Sequence, residues 1–296
     1  MAARALGTAV AIPPPARSTR RNRLRPLVRN PLVLGGLVFV VFFLGVALLA
    51  PLLAPADPIA MNAARALEGP SADAPFGTDR FGRDVLSRAI YGSRASLMVG
   101  VGSIALAAVV GTIVGLAAGY LGGWVDNVLG RIMDIFFTFP SLILAIAISV
   151  ALGLGIQNAL LAIAITYWPA FGRVVRGATL AEGGKDYVEA ARVLGASDVR
   201  VVGRHVFPNI LSPLIVQFTV AISQAIIIES SLSYLGLGTQ PPTPSWGTMI
   251  NEGRTFLDSA PWISVFPGAA IMGAVLAFNL LGDGLRDILD PRSRPV

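Results

Sequence analysis

The chain has 296 residues, 54% hydrophobic and only 14% charged, with a mean hydropathy of +0.69. A soluble domain carries roughly a quarter charged residues, so this composition excludes an ordinary soluble enzyme and points to a membrane protein. Cysteine is absent, which removes disulfides, thiolate metal sites and cysteine nucleophiles, and the +6 formal charge lies beside apolar runs, where it orients spans rather than binding nucleic acid.

Residues 1–30 hold seven arginines and the run Pro13 to Pro15 with almost no apolar periodicity, and they read as a flexible basic tail. The apolar body follows at 31–292, with a short tail at 293–296. An ionisable group at mid-bilayer is costly, and about 20 helical residues cross the hydrocarbon core, so gaps between charges mark the spans. Twenty-seven uncharged residues lie between Arg29 and Asp57, 31 between Arg94 and Asp126, 38 between Asp134 and Arg173, 24 between Arg204 and Glu229, and 24 between Asp258 and Asp283. The third gap is interrupted by Gly153-Leu154-Gly155 and accommodates two short helices. The expected spans are 32–54, 96–121, 135–153, 157–175, 209–230 and 263–283, which makes an all-α membrane protein of six helices. The first apolar run is longer than a signal-peptide core and is expected to stay as an anchor. The stretch from Ser230 to Asn251 holds Pro241, Pro242 and Pro244 and is expected to be a loop.

Six spans put both termini on one side. If that side is cytoplasmic, 17 of the 23 Lys and Arg lie inside, as the positive-inside rule requires. Five of the other six crowd the first outer loop, at Arg65, Arg80, Arg83, Arg88 and Arg94, an awkward concentration. The predicted location is a multi-pass cell membrane protein with cytoplasmic N and C termini, and the largest cytoplasmic loop is 176–208.

That loop reads as helix, glycine break, helix. Asp186 can cap the first helix with Glu189 as its capping-box partner, Ala190 and Ala191 give it a small smooth face, and Gly195 can supply the left-handed turn at its end. A second helical stretch ends at Phe207-Pro208. The whole is either a plain capped hairpin or a short helix shaped to dock into a groove on a soluble partner. In the second span Gly111, Gly115 and Gly119 share one face and admit another helix backbone, within this chain or from a partner. Pro169 and Pro213 are expected to kink the fourth and fifth spans. Glu229, roughly 30 Å past the start of span five, is placed at the outer interface, lining a path or gate or bonded to nearby serines or an outer-loop arginine.

Several of these segments together resemble one family. The pattern Glu189-Ala190-Ala191, then Gly195, then an apolar ending at Pro208 is similar to the cytoplasmic EAA signature of membrane subunits of ATP-binding-cassette importers. Phe76 to Leu97, the spacing Arg131, Asp134, Pro140, the run Ser231 to Arg254, and Leu281 to Arg292 resemble the dipeptide, oligopeptide and nickel branch, in its second permease, the dipeptide/oligopeptide permease C type. His205 and Phe207 depart from the general signature at two positions; the histidine context is similar to that branch. The resemblance implies a type I importer transmembrane subunit whose loop at Asp186, Glu189, Ala190, Ala191, Leu194, Gly195 and Pro208 couples to a cytoplasmic ATPase. It also implies a second homologous permease, two ATPase subunits and an extracytoplasmic substrate-binding protein as partners, with peptides or related small solutes as cargo. The same resemblance, more than the local chemistry, places Trp246 on the outer surface and at the outer gate.

No G-x-x-x-x-G-K-[ST] phosphate cradle occurs and Lys185 is the sole lysine, so ATP and Mg are expected on the partner ATPases and no cofactor or metal on this chain. The single histidine, His205, lacks companion ligands in sequence and no nucleophilic triad is available. The competing readings are a secondary transporter, which would want midplane carboxylates and an internal repeat, a permease for nickel or another non-peptide solute, and an intramembrane enzyme.

Overall fold

The structure is a computed structural model that describes residues 31–289. The basic tail at 1–30 and the residues from 290 on, including the tail at 293–296, lie outside the described residues. Those described are helical apart from turns and a single isolated bridge, Thr78 to Asp84.

In chain order the helices are α1 Pro31–Leu48, α2 Ala50–Leu53, α3 Val85–Leu121, α4 Gly123–Phe137, α5 Ser141–Leu152, α6 Ile156–Gly183, α7 Asp186–Val193, α8 Asp198–Val201, α9 Phe207–Tyr234, α10 Trp246–Gly253 and α11 Trp262–Leu289. Five helical segments are long and apolar enough to cross a membrane, α1, α3, α6, the α8–α9 continuum and α11; α4 and α5, bent by 94° at a short break, bring the number to six if the pair is one broken span. The described residues are thus an all-helical bundle of five to six candidate spans, and several bounds differ from those expected.

The largest change is at the third span. The range 135–153 is not one helix: α4 begins at Gly123, and the chain breaks at 138–140 before α5. Charge-gap reading excluded α4 because it contains Asp126, Arg131 and Asp134. In the fold two of those charges are met from α6, Asp126 by Arg176 and Asp134 by Arg173 at 2.7 Å, so the helix bears them on the face turned to its neighbour. The fourth span also extends past 175, because α6 runs to Gly183 and takes the first eight residues assigned to the cytoplasmic loop.

Helix α3 starts eleven residues before the expected 96. Asp84 caps it, accepting from the Ser87 N–H at 2.7 Å. Its 37 residues measure roughly 55 Å, longer than a bilayer core, so its first turns project past the core and bear the segment that precedes it. It packs along α6 through Gly111, Gly115 and Gly119, where an added Cβ would lie 2.4 Å from the Trp168 carbonyl, 2.5 Å from that of Gly172 and 2.8 Å from that of Arg176. Backbone meets backbone there, the close approach that substitutes for hydrophobic driving force between helices in lipid.

Three clusters organise the interior. A central one, with Val99, Ile104, Ile163, Phe171, Ile226 and Leu232, joins α3, α6 and α9. Val175, Val188, Val201, Val206 and Ile210 form a second cluster at one end. Val85, Met249, Ala260 and Ile263 form a third at the other. Large apolar side chains such as Phe39, Phe42, Val109, Ile113, Val265 and Met272 remain exposed, as a lipid-facing surface demands.

Candidate functional site

The segment between α6 and α9 is built as a braced hairpin. Helix α7 ends in a Schellman arrangement: the Ala196 N–H bonds the Ala191 carbonyl at 3.1 Å and the Gly195 N–H bonds that of Arg192 at 2.9 Å, with Gly195 at φ +80°. Its start differs from the expected capping box. Lys185 occupies the cap position without a side-chain bond, and Asp186 and Glu189 are both exposed in the first turn, where they complement the helix dipole. The alanines also divide. Ala190 is exposed, whereas Ala191 turns in toward the second cluster beside buried Val188.

The exposed tip is apolar instead at Val193, Leu194 and Val199, which are 82%, 87% and 83% exposed. Three aliphatic side chains of the hairpin are thus left almost wholly uncovered by the described residues. Beyond the tip the chain does not end a helix at Pro208. It passes from α8 through a π turn, Val202–Val206, straight into α9, so that Pro208 falls directly after the five-residue register closed by the Phe207 N–H on the Val202 carbonyl.

Two tyrosines tie this hairpin to the spans. The Tyr187 hydroxyl donates to Glu182 at the end of α6 and accepts from Asn209 at the start of α9, at 3.1 Å; Asn209 also donates to the His205 carbonyl at 2.7 Å. Lys185 adds a 2.6 Å ion pair to Glu182. Desolvation, then the bond to the Glu182 carboxylate, pushes the Tyr187 hydroxyl up to about 12. Opposite, Tyr120 at the end of α3 donates to Asp198 at 2.6 Å and lies under the Arg192 guanidinium at 4.8 Å. Neither tyrosine stood out in sequence, because nothing local marks a side chain whose partners lie on other helices, 78 residues away for Tyr120 and 5 and 22 for Tyr187.

At the other end, two of the five crowded arginines, Arg83 and Arg88, prove to be internal. Arg83 bonds Asp79 and Glu252, each at 2.6 Å, and Arg88 bonds Glu252 at 3.0 Å and approaches Asp79 at 3.5 Å; Arg83, Arg88 and Asp79 are almost fully buried. Two charges of each sign therefore cancel within this end of the bundle. Glu252 belongs to α10, a helix within the stretch expected to be loop, started by a capping box between Ser245 and Thr248.

Trp246 is not on the outer surface. It is 1% exposed, its indole N–H donates to the Ala89 carbonyl at 3.0 Å, and Phe43 meets it edge-on. Glu229 is likewise sealed, 1% exposed, accepting from Ser233 at 2.8 Å and Ser230 at 3.4 Å, with no arginine against it. The serine alternative is the one found. Both residues face the bundle interior because the α9–α10 turn folds α10 back onto α3.

The class of protein follows from a helical bundle with a projecting, apolar-tipped hairpin at one end. Residues 111–295 match the family model described as binding-protein-dependent transport system inner membrane component, and residues 18–70 match the N-terminal transmembrane domain of oligopeptide transport permease C. The chain is 45% identical to a dipeptide transport system permease protein of Alkalihalophilus pseudofirmus, over 95% of this chain and 94% of that one. It is 43% identical to a glutathione transport system permease protein of Pectobacterium atrosepticum, over 93% and 92%, and 44% identical to a di/tripeptide transport system permease protein of Pseudomonas aeruginosa, over 88% of each. Among solved structures, a methionine ABC transporter in inward-facing conformations shares the fold, with a TM-score of 0.56 at 21% identity, covering 69% of this chain and 96% of that one.

The chain belongs to the family of inner-membrane components of binding-protein-dependent transport systems. It is a multi-pass permease subunit of an ATP-binding-cassette importer, and neither the secondary-transporter nor the nickel-permease alternative is favoured.

Proposed function

We propose that this permease moves small peptides inward, paired with a second homologous permease, loaded by an extracytoplasmic binding protein and powered by two ATPase subunits. The peptide-transport names of the relatives support the cargo. The observation that carries the coupling assignment is the tip itself, Val193, Leu194 and Val199 held in water on a hairpin fastened to three spans. A rigid apolar knob suits a cleft in an ATPase, and closure of the ATPase pair is then passed through the tyrosine braces to α3, α6 and α9. Asp186 and Glu189, exposed on the first turn of α7, are placed to meet basic groups on that partner.

In this reading the chain binds no cofactor and performs no catalysis; ATP and Mg reside on the partner subunits. The tail, the hairpin and the C terminus face the cytoplasm, which agrees with the Lys/Arg distribution once Arg83 and Arg88 are counted as internally paired.

The test is peptide uptake and ATPase pull-down at matched membrane expression for Leu194→Asp and Gly195→Val. An aspartate at the centre of an apolar contact loses on the order of 2 to 4 kcal/mol, so association should fall at least tenfold. Full ATPase retention with wild-type uptake in both variants would overturn the coupling assignment.

A further inference from the structure

Helix α9 has one face on which positions 209, 213, 217, 220, 224, 227 and 231 recur at helical spacing, and four of them are polar: Asn209, Gln217, Gln224 and Ser231. Gln224 is exposed, and neither its amide nor that of Gln217 has a hydrogen-bond partner among the described residues. Gln224 lies 17 residues above Phe207, roughly 26 Å along the axis and deep within the span. An unpartnered carboxamide turned to lipid is costly, so this face requires water or a polar ligand.

Two clefts open on the same face. The lower, ≈ 680 Å³, takes Asn209, Ser212 and Gln217 from α9 and is closed by Glu182, Lys185 and Arg286. The upper, ≈ 280 Å³, holds Gln224 with Thr166 and Tyr167 of α6 against Phe136, Phe137 and Phe139 at the α4–α5 break. That break is itself informative, since non-helical backbone at membrane depth persists where it is buried in protein or borders a polar cavity. Pro169, which removes a bond from the α6 ladder, lines the same cleft.

We infer that this α9 face and the α4–α5 break form the cargo-contacting wall of the translocation path, engaging peptides through their backbone amides. The inference rests on the peptide reading above and deepens it. A carboxamide offers both a donor and an acceptor and so matches a peptide C=O and N–H whatever side chains the peptide carries. No charged residue lines the upper cleft, so peptides of either charge meet no like-charge barrier there, while the phenylalanine rings accept apolar side chains. The fixed charges of Glu182, Lys185 and Arg286 come only at the lower, wider cleft, where a peptide rehydrates.

The experiment uses the assembled importer, with its partner permease, ATPases and binding protein. Because the chain has no cysteine, Gln217→Cys, Gln224→Cys and the control Ile215→Cys can be labelled singly; Ile215 is exposed on the opposite side of α9. A charged, water-soluble methanethiosulfonate should label the first two and spare the third, and Ala-Phe added during turnover should slow labelling at position 224. Gln217→Ala with Gln224→Ala should cut Ala-Phe uptake roughly tenfold while the ATPases still co-purify. Labelling of positions 217 and 224 by a lipid-soluble maleimide alone, or uptake within twofold of wild type in the double variant, would overturn the inference. Either result leaves the permease reading standing, since that reading fails only if the unsubstituted complex does not take up Ala-Phe.

Discussion

Tyr187 shows how single side chains decide whether the hairpin is a strut or a tether. Its hydroxyl bonds the end of α6 and the start of α9 at once, through Glu182 and Asn209. Tyr187→Phe keeps the ring beside His205 and removes those bonds, one of them to a charged group, a loss of about 2 kcal/mol. Uptake per ATP hydrolysed should fall several-fold with ATPase association nearly intact; Tyr120→Phe, which keeps the Arg192 stacking, should do the same more mildly. An unchanged ratio of uptake to hydrolysis in both would show that the braces carry no coupling. The raised Tyr187 titration fixes the sign with pH: the contribution is present below the ordinary tyrosine value near 10 and is lost as pH rises through about 12. Between pH 6 and 9 the brace should therefore be insensitive to pH.

The outer cap is stabilised by residues whose value is collective. Glu252 is shared by Arg83 and Arg88, and removing it leaves two nearly buried guanidiniums to one carboxylate, Asp79. Glu252→Ala should lower thermal stability in detergent by the equivalent of roughly 3 kcal/mol, discounted from the fully buried case because Glu252 keeps some contact with water. Glu252→Gln should recover part of it. A melting temperature unmoved by Glu252→Ala would mean the quartet is a surface pairing.

At the scale of elements, the glycine face of α3 sets how close α6 can lie. Gly115→Leu would drive its side chain into the Gly172 carbonyl and Val175, where even a Cβ lies 2.5 Å from the first and 2.8 Å from the second. Such overpacking costs about 1 to 3 kcal/mol or more, so membrane yield and melting temperature should both drop. Gly45→Ala in α1, with open space around it, is the matched control and should be neutral. Comparable losses in the two variants would remove the packing role of the α3 face. The positions of these glycines were legible from their four-residue spacing; that α6 and not another chain covers them was not. The same limit applies to α4. Its charges argued against a span until Arg173 and Arg176, some forty to fifty residues on, were seen to meet them.

For the whole molecule, topology is the test on which the functional reading depends. Ser197 near the hairpin tip and Ala72 in the outer loop are both exposed, so single cysteines there report their sides directly. An impermeant thiol reagent applied to intact cells should label Ala72→Cys and spare Ser197→Cys; labelling at Ser197 would reverse the orientation and remove the ATPase assignment. The purified chain should show no ATP hydrolysis once co-purifying ATPases are removed.

Sequence by itself determined the membrane class, the all-helical architecture, the glycine turn at Gly195 and the family, because each depends on local quantities: apolar run length, the spacing of charges, one residue's access to positive φ, or a linear motif. Tertiary structure alone decided what depends on partners distant in the chain. It buried Trp246 against α3 and Glu229 among serines, paired Arg83 and Arg88 with Asp79 and Glu252, and left Val193, Leu194 and Val199 exposed at the hairpin while turning Ala191 inward. It also set the polar face of α9 opposite the α4–α5 break. The physical reason is the same in each case: the cost of a charge, an amide or an exposed aliphatic group is set by what lies across from it, and only the folded chain brings that neighbour into place.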